Sequence, residues 1–139
     1  MRYGLVFTLS LAAGAAAAYA AGLPAPSLQP LTAADADRSG IWIRRCGCTF
    51  DDDRTGNGRS IAVVVDDQLF VRSGNRLAIC PARAFATGRN GAITCGGQRL
   101  SLRIGREQHR HYMFDSDATL TVSRGGASRV YNGLYGCGC

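Results

Sequence analysis

Apolar and polar residues alternate with a period of two along most of the chain beyond Ile41. The clearest case is residues 99–104, where Leu100, Leu102 and Ile104 interleave with Arg99, Ser101 and Arg103. Ala118, Leu120 and Val122 interleave in the same way with Thr119, Thr121 and Ser123. Successive side chains of a strand point to opposite faces, so each segment predicts a strand with one buried face. Ile61 to Val65 is apolar throughout, which predicts a central strand covered on both sides. Further strands are predicted from Ile41-Trp42-Ile43 through Phe50, and at Leu69–Val71, Leu77–Cys80, Ile93–Cys95, His109–Phe114 and Val130–Tyr135. Turns between them are signalled by Asp51 to Arg59, Asp66-Asp67, Ser73-Gly74-Asn75, Gly96-Gly97, Asp115-Ser116-Asp117 and Gly125-Gly126. Pro81 to Thr87 interrupts the pattern, and with Gly88 behind it predicts a single helical turn opening at Pro81. About eight short strands at even spacing predict an all-β, disulfide-stapled antiparallel meander closed into a barrel or sandwich.

The first twenty residues follow a different rule. Arg2, the apolar run from Leu5 to Ala18 and the Ala18-Tyr19-Ala20 site predict an export signal cleaved after Ala20. The run is short for a membrane span, which needs about 20 apolar residues, so no stable span is expected after cleavage. Residues 21–40, with Pro24, Pro26 and Pro30, predict a flexible or extended lead-in with a weak helical turn at Thr32 to Asp37. Residues 41–139 form the single β domain. Export places the protein in the periplasm or outside the cell.

Six cysteines follow the signal: Cys46, Cys48, Cys80, Cys95, Cys137 and Cys139. In an exported chain an even set is read as disulfides. The motif Cys-Gly-Cys occurs twice, at 46–48 and 137–139. On an extended strand both cysteines of a motif share a face, so two neighbouring antiparallel strands can pair Cys46 with Cys139 and Cys48 with Cys137. The crossed pairing satisfies the sequence equally. Cys80 and Cys95 form the natural third pair around the Pro81 excursion. Four thiolates could instead hold one zinc or copper ion. An exposed Cys-Gly-Cys could also exchange disulfides, although no histidine or lysine stands beside either motif to lower a thiol pKa.

Formal net charge is +6, one less once Arg2 leaves with the signal, and every basic residue is arginine. Guanidinium forks match carboxylate and phosphate, so an anionic cell-envelope ligand or a protein is the expected partner. No basic arm or nucleic-acid module is present, so nucleic acid is not expected. Arg99 and Arg103 project outward from one strand, and with Arg110 and Trp42 they are the candidate contact surface. His109, His111, Met113 and Asp115 fall two apart, which on one strand gives them a common face and a possible copper or zinc site. Asp51, Asp53 and Thr55 partly fit a calcium loop, but Ala62 stands where a bidentate carboxylate is needed. Neither Gly-x-Ser-x-Gly nor His-Glu-x-x-His occurs, and the only glutamate is Glu107. No enzyme activity and no cofactor are expected.

Ile93-Thr94-Cys95-Gly96-Gly97, Leu100-Ser101-Leu102 and Ala118 to Val122 together resemble the strands of the periplasmic inhibitors of C-type lysozyme. The resemblance implies a small exported β-barrel with a structural disulfide. A cationic lysozyme would be repelled by this cationic chain, so no functional residue is carried over. The residues predict an exported, non-catalytic binding protein for a cell-envelope or protein ligand, with an inhibitor-like mode as one form of it. A periplasmic copper, zinc or thiol-redox protein and a structural envelope protein are the alternatives.

Overall fold

The computed structural model describes residues 24–41, 46–52, 59–110 and 113–138. Nine strands and two short helices follow one another: β1 (Leu28–Gln29), α1 (Ala33–Ser39), β2 (Gly47–Asp52), β3 (Ser60–Val65), β4 (Gln68–Ser73), β5 (Arg76–Pro81), α2 (Arg83–Ala86), β6 (Gly91–Cys95), β7 (Gln98–Arg110), β8 (Met113–Arg124) and β9 (Ala127–Gly138). They form one antiparallel sheet, β5-β4-β3-β2-β9-β8-β7-β6, with β1 pairing β4 beyond the end of β3. The sheet curls into a half-barrel. Its outermost strands, β5 and β6, share no ladder and are joined by the Cys80–Cys95 disulfide, Cα–Cα 5.6 Å.

Inward-facing positions fill the half-barrel with Phe50, Val64, Leu69, Val71, Leu100, Leu102, Leu120 and Val122, all buried. The apolar-both-faces run at Ile61 to Val65 is indeed a central strand, lying between β2 and β4. Two tyrosines on the inner face of β9 hold the plugs at opposite ends. The Tyr131 hydroxyl accepts from the amide of buried Leu28, 2.7 Å. The Tyr135 hydroxyl donates to the carbonyl of Phe85, which α2 carries into the other end. Burial pushes the Tyr135 phenol up to about 12, so it stays a protonated donor at neutral pH. Gln98 heads the inner row of β7 at 1 % exposure, and its side-chain amide meets no hydrogen-bonding partner; no physical reason for this is evident.

Part of the lead-in carries regular structure despite its composition. Leu28 and Gln29 pair with Ser73 and Arg72. The helical turn expected at Thr32 to Asp37 is a two-turn helix, α1, opened by a capping box. The Thr32 hydroxyl accepts from the Asp35 amide at 3.1 Å, and the Asp35 carboxylate accepts from the Thr32 amide at 2.9 Å. Arg72 then donates to the same carboxylate at 2.7 Å, tying α1 to β4. Burial opposes ionisation of Asp35 most, but the Thr32 donors, Arg72 and Arg38 together outweigh it and hold the carboxyl below its usual range. A depressed folded pKa stabilises the protein above the unfolded value near ~3.9, and that stability is lost as pH falls through the folded pKa. Asp35→Ala is therefore expected to cost about 2 kcal/mol at pH 7. In urea melts its deficit relative to the parent should shrink toward pH 2; a deficit independent of pH would assign the loss to packing instead.

Four boundaries differ from the sequence reading. Ile41 is not in a strand, because its amide caps α1 by donating to the Ala36 carbonyl at 3.1 Å, and β2 begins at Gly47. Asp51 and Asp52 belong to β2 and not to the following loop; Asp53 and Thr55 of the calcium-loop pattern lie outside the described residues. Pro81 closes β5 opposite Gln68, and Ala82 is the residue before α2. The expected strand at 109–114 is split: β7 runs on to Arg110, β8 starts at Met113, and Asp115 to Asp117 lie within β8. The two-residue turn at Asp66-Asp67 is as expected, both residues taking positive φ (51° and 60°), which aspartate tolerates better than most residues.

Candidate functional site

The half-barrel interior is packed, so the candidate chemistry lies on its outer surface. On β7 the outer positions are Arg99, Ser101 and Arg103. They pair with Ser123, Thr121 and Thr119 of β8, which in turn pair with Ser128, Val130 and Asn132 of β9. On the other side Thr94 and Ala92 of β6 face Arg99 and Ser101. Four strands about 4.8 Å apart thus present one face of hydroxyls and amides crossed by two guanidinium groups. Arg99 and Arg103 are exposed, as are Thr94, Ser128, Val130 and Asn132. Neither arginine is in an ion pair among the described residues.

A β-bulge decides how far this face extends. Ile104 pairs with Ala118 and Glu107 with Ser116, so Gly105 and Arg106 together oppose Asp117. The extra residue reverses the parity of β7. Beyond it Arg110 pairs with Met113 at the end of β7. Gly105 permits the bulge, since a Cβ there would stand 3.0 Å from the Asp117 carbonyl oxygen.

The same register separates the residues of the suggested metal set. His109 pairs with Phe114, Met113 with Arg110 and Asp115 with Gln108. His109 therefore lies on β7, and Met113 and Asp115 on β8, where the sequence reading has all of them on one strand. His111 lies outside the described residues, as does Trp42 of the contact surface. No cluster of three histidines, cysteines or carboxylates suited to a metal occurs among the described residues.

Of the cysteines, Cys48 and Cys137 sit directly opposite on β2 and β9 and form a disulfide, Cα–Cα 4.0 Å. This selects the direct pairing over the crossed one. Cys80–Cys95 is the expected third pair. Cys46 is disulfide-bonded as well; Cys139 lies outside the described residues. The bonded cysteines are not thiolate ligands. Two disulfides point to an oxidising, extracytoplasmic setting, and among the described residues no helix is long and apolar enough to cross a membrane.

Charge is distributed unevenly over the half-barrel. Residues 88–139, which include β6 to β9, hold seven arginines against three acids, whereas residues 21–87 hold eight against seven. Counting by halves would have found this asymmetry in the sequence; counting arginines along the chain hides it. The acids of the outer face cluster away from Arg99. Burial raises the Asp51 carboxyl above its usual range, the Ser60 hydroxyl at 2.6 Å pulls it back, and nearby Asp115 raises it further.

Three hollows bear on function. The largest, about 1130 Å³, lies between the lead-in and the outer face of β2 and β3, with Leu31, Ala36, Val63 and Val65 in its walls. Arg59 and Arg72 also line it, and Arg72 is committed to Asp35. Two shallower hollows, of about 400 and 380 Å³, open on the arginine face. Arg99, Thr94, Ser123 and Arg124 line one, and Arg103, Thr119 and Asn132 line the other. A scan of protein-family models and searches of curated proteins and of solved structures each return no match, so the resemblance to the lysozyme inhibitors stands on the sequence alone.

Proposed function

We propose that this is an exported, non-catalytic binding protein, periplasmic or secreted, that holds an anionic cell-envelope ligand or protein on the outer face of β6 to β9. The observation that carries the reading is the pair Arg99 and Arg103: exposed, on one face, without ion pairs among the described residues, on the half of the chain that holds most of the net positive charge. A cation on a protein surface is usually neutralised locally or left to solvent. Two on a rigid sheet, at fixed separation and flanked by hydroxyls, form a preorganised set of donors for carboxylate or phosphate. Disulfides at the seam and on the β2–β9 pair keep the sheet from deforming.

The test is co-sedimentation of the protein with washed bacterial cell envelopes across a salt series. The parent protein is expected to sediment at low salt and to be released as salt rises. The Arg99→Glu/Arg103→Glu variant should bind at least about tenfold more weakly, a loss of roughly 1.4 kcal/mol or more. Equal sedimentation of parent and variant would remove this face from the binding surface.

A further inference from the structure

We infer that the ligand of the β6–β9 face is a linear anionic polysaccharide lying along β7 and β8; this rests on the binding reading above. The two hollows repeat one chemistry. Each sets a guanidinium beside side-chain hydroxyls or an amide: Arg99 with Thr94 and Ser123, Arg103 with Thr119 and Asn132. Arg99 and Arg103 are four residues apart on one strand, so the hollows repeat at about 13 Å. A repeat of binding groups along a straight line fits a ligand that itself repeats. Between the hollows lie Ser101 and Thr121, paired across the two strands and half-buried, which continue the hydroxyl row without a charge.

A hydroxyl both donates and accepts, as does each hydroxyl of a sugar, so the intervening row matches a polyol as it would not match a hydrocarbon chain. The guanidinium groups match carboxylate or phosphate substituents. A protein partner is the weaker fit. Protein interfaces centre on aromatic and aliphatic anchors, and among the side chains described on this face none is aromatic and the apolar ones are Ala92, Val130 and Leu134. A lipid surface fits less well, because binding there requires apolar side chains to insert. Asp117, on the wall of the Arg103 hollow, already has an interaction partner within the chain. The bulge turns the sheet there, at the end of the described hydroxyl row.

Binding to three polymers separates the possibilities: polygalacturonate, which carries carboxylates and hydroxyls; poly-L-glutamate, which carries carboxylates alone; and dextran, which carries hydroxyls alone. The parent should bind polygalacturonate more tightly than either of the others. Ser101→Ala/Thr121→Val should weaken polygalacturonate binding by at least about tenfold while leaving poly-L-glutamate binding and the melting temperature unchanged. If poly-L-glutamate binds as tightly as polygalacturonate and the hydroxyl variant changes nothing, the polysaccharide assignment fails and the anion-binding face stands. Dextran binding that Arg99→Glu/Arg103→Glu leaves intact would overturn the anionic part. Should neither anionic polymer bind, both readings fail.

Discussion

Replacing Gly133 with valine should leave the protein unfolded or very nearly so. Gly133 lies on the inner row of β9 opposite Asp52 of β2. A Cβ at this position would stand 1.9 Å from the Asp51 carbonyl oxygen and 2.9 Å from its carbon. These are backbone atoms of the neighbouring strand, so no rotamer change relieves the clash. The strand pair must separate, and the β2–β9 ladder is the one that joins the two halves of the sheet. Overpacking a well-filled interior usually costs about 1–3 kcal/mol, and a clash with paired backbone belongs at or beyond the upper end. That is a large share of the 5–15 kcal/mol or so by which domains are stable. Gly133→Ala should already lower the urea midpoint sharply. Gly126→Ala is a useful contrast: it carries only the penalty of a positive φ of 83° and has nothing within 4 Å of the added Cβ. If Gly133→Ala melts with or above Gly126→Ala, β2 and β9 are not as close as described.

The second large effect concerns the paired Cys-Gly-Cys motifs, and it depends on combination. The Cys48–Cys137 bond spans a sequence separation of 89 residues. Closing a loop of that length is worth about 4.5 kcal/mol in the chain-entropy model. Cys46 is also disulfide-bonded, and the register that sets Gly47 against Gly138 predicts Cys139 as its partner. Either bond alone would then close nearly the same loop. Cys48→Ala/Cys137→Ala should cost only about 1 kcal/mol, chiefly from lost packing around Cys48, which is 4 % exposed. Replacing all four cysteines should cost about 4–5 kcal/mol. Urea midpoints of the two single-pair variants and the quadruple variant measure the coupling, and peptide mapping without reductant checks the partner of Cys46. A single-pair variant that loses the full amount would show that the neighbouring bond does not close the loop.

The strand pattern was readable wherever one face is buried. Leu100, Leu102 and Ile104 against Arg99, Ser101 and Arg103 predict the strand and its two faces as they are found, and with them the outward row of Arg99 and Arg103. Glycine pairs gave the turns at Gly96-Gly97 and Gly125-Gly126 because both residues of each take positive φ. What stayed hidden has local causes. Residues 109–114 carry no Gly, Asn or Pro, so they read as one strand, although β7 ends at Arg110 and β8 begins at Met113. The bulge at Gly105 and Arg106 shifts the register of β7 against β8 without changing composition, so no period count could find it. The docking of α1 depends on Arg72 reaching Asp35, a contact between residues 37 positions apart that no local pattern announces. The direct pairing of Cys48 with Cys137 needed the register of β2 against β9, which is a tertiary fact.

Isotope-edited NMR of the labelled protein titrated with polygalacturonate at low salt tests the β6–β9 face most directly. Amide shifts should concentrate on Thr94, Arg99, Ser101, Arg103, Thr121 and Ser123 and should vanish at high salt or in Arg99→Glu/Arg103→Glu. Shifts concentrated instead around Leu31, Ala36 and Val63, or no shifts anywhere in the molecule, would contradict the assignment of this face.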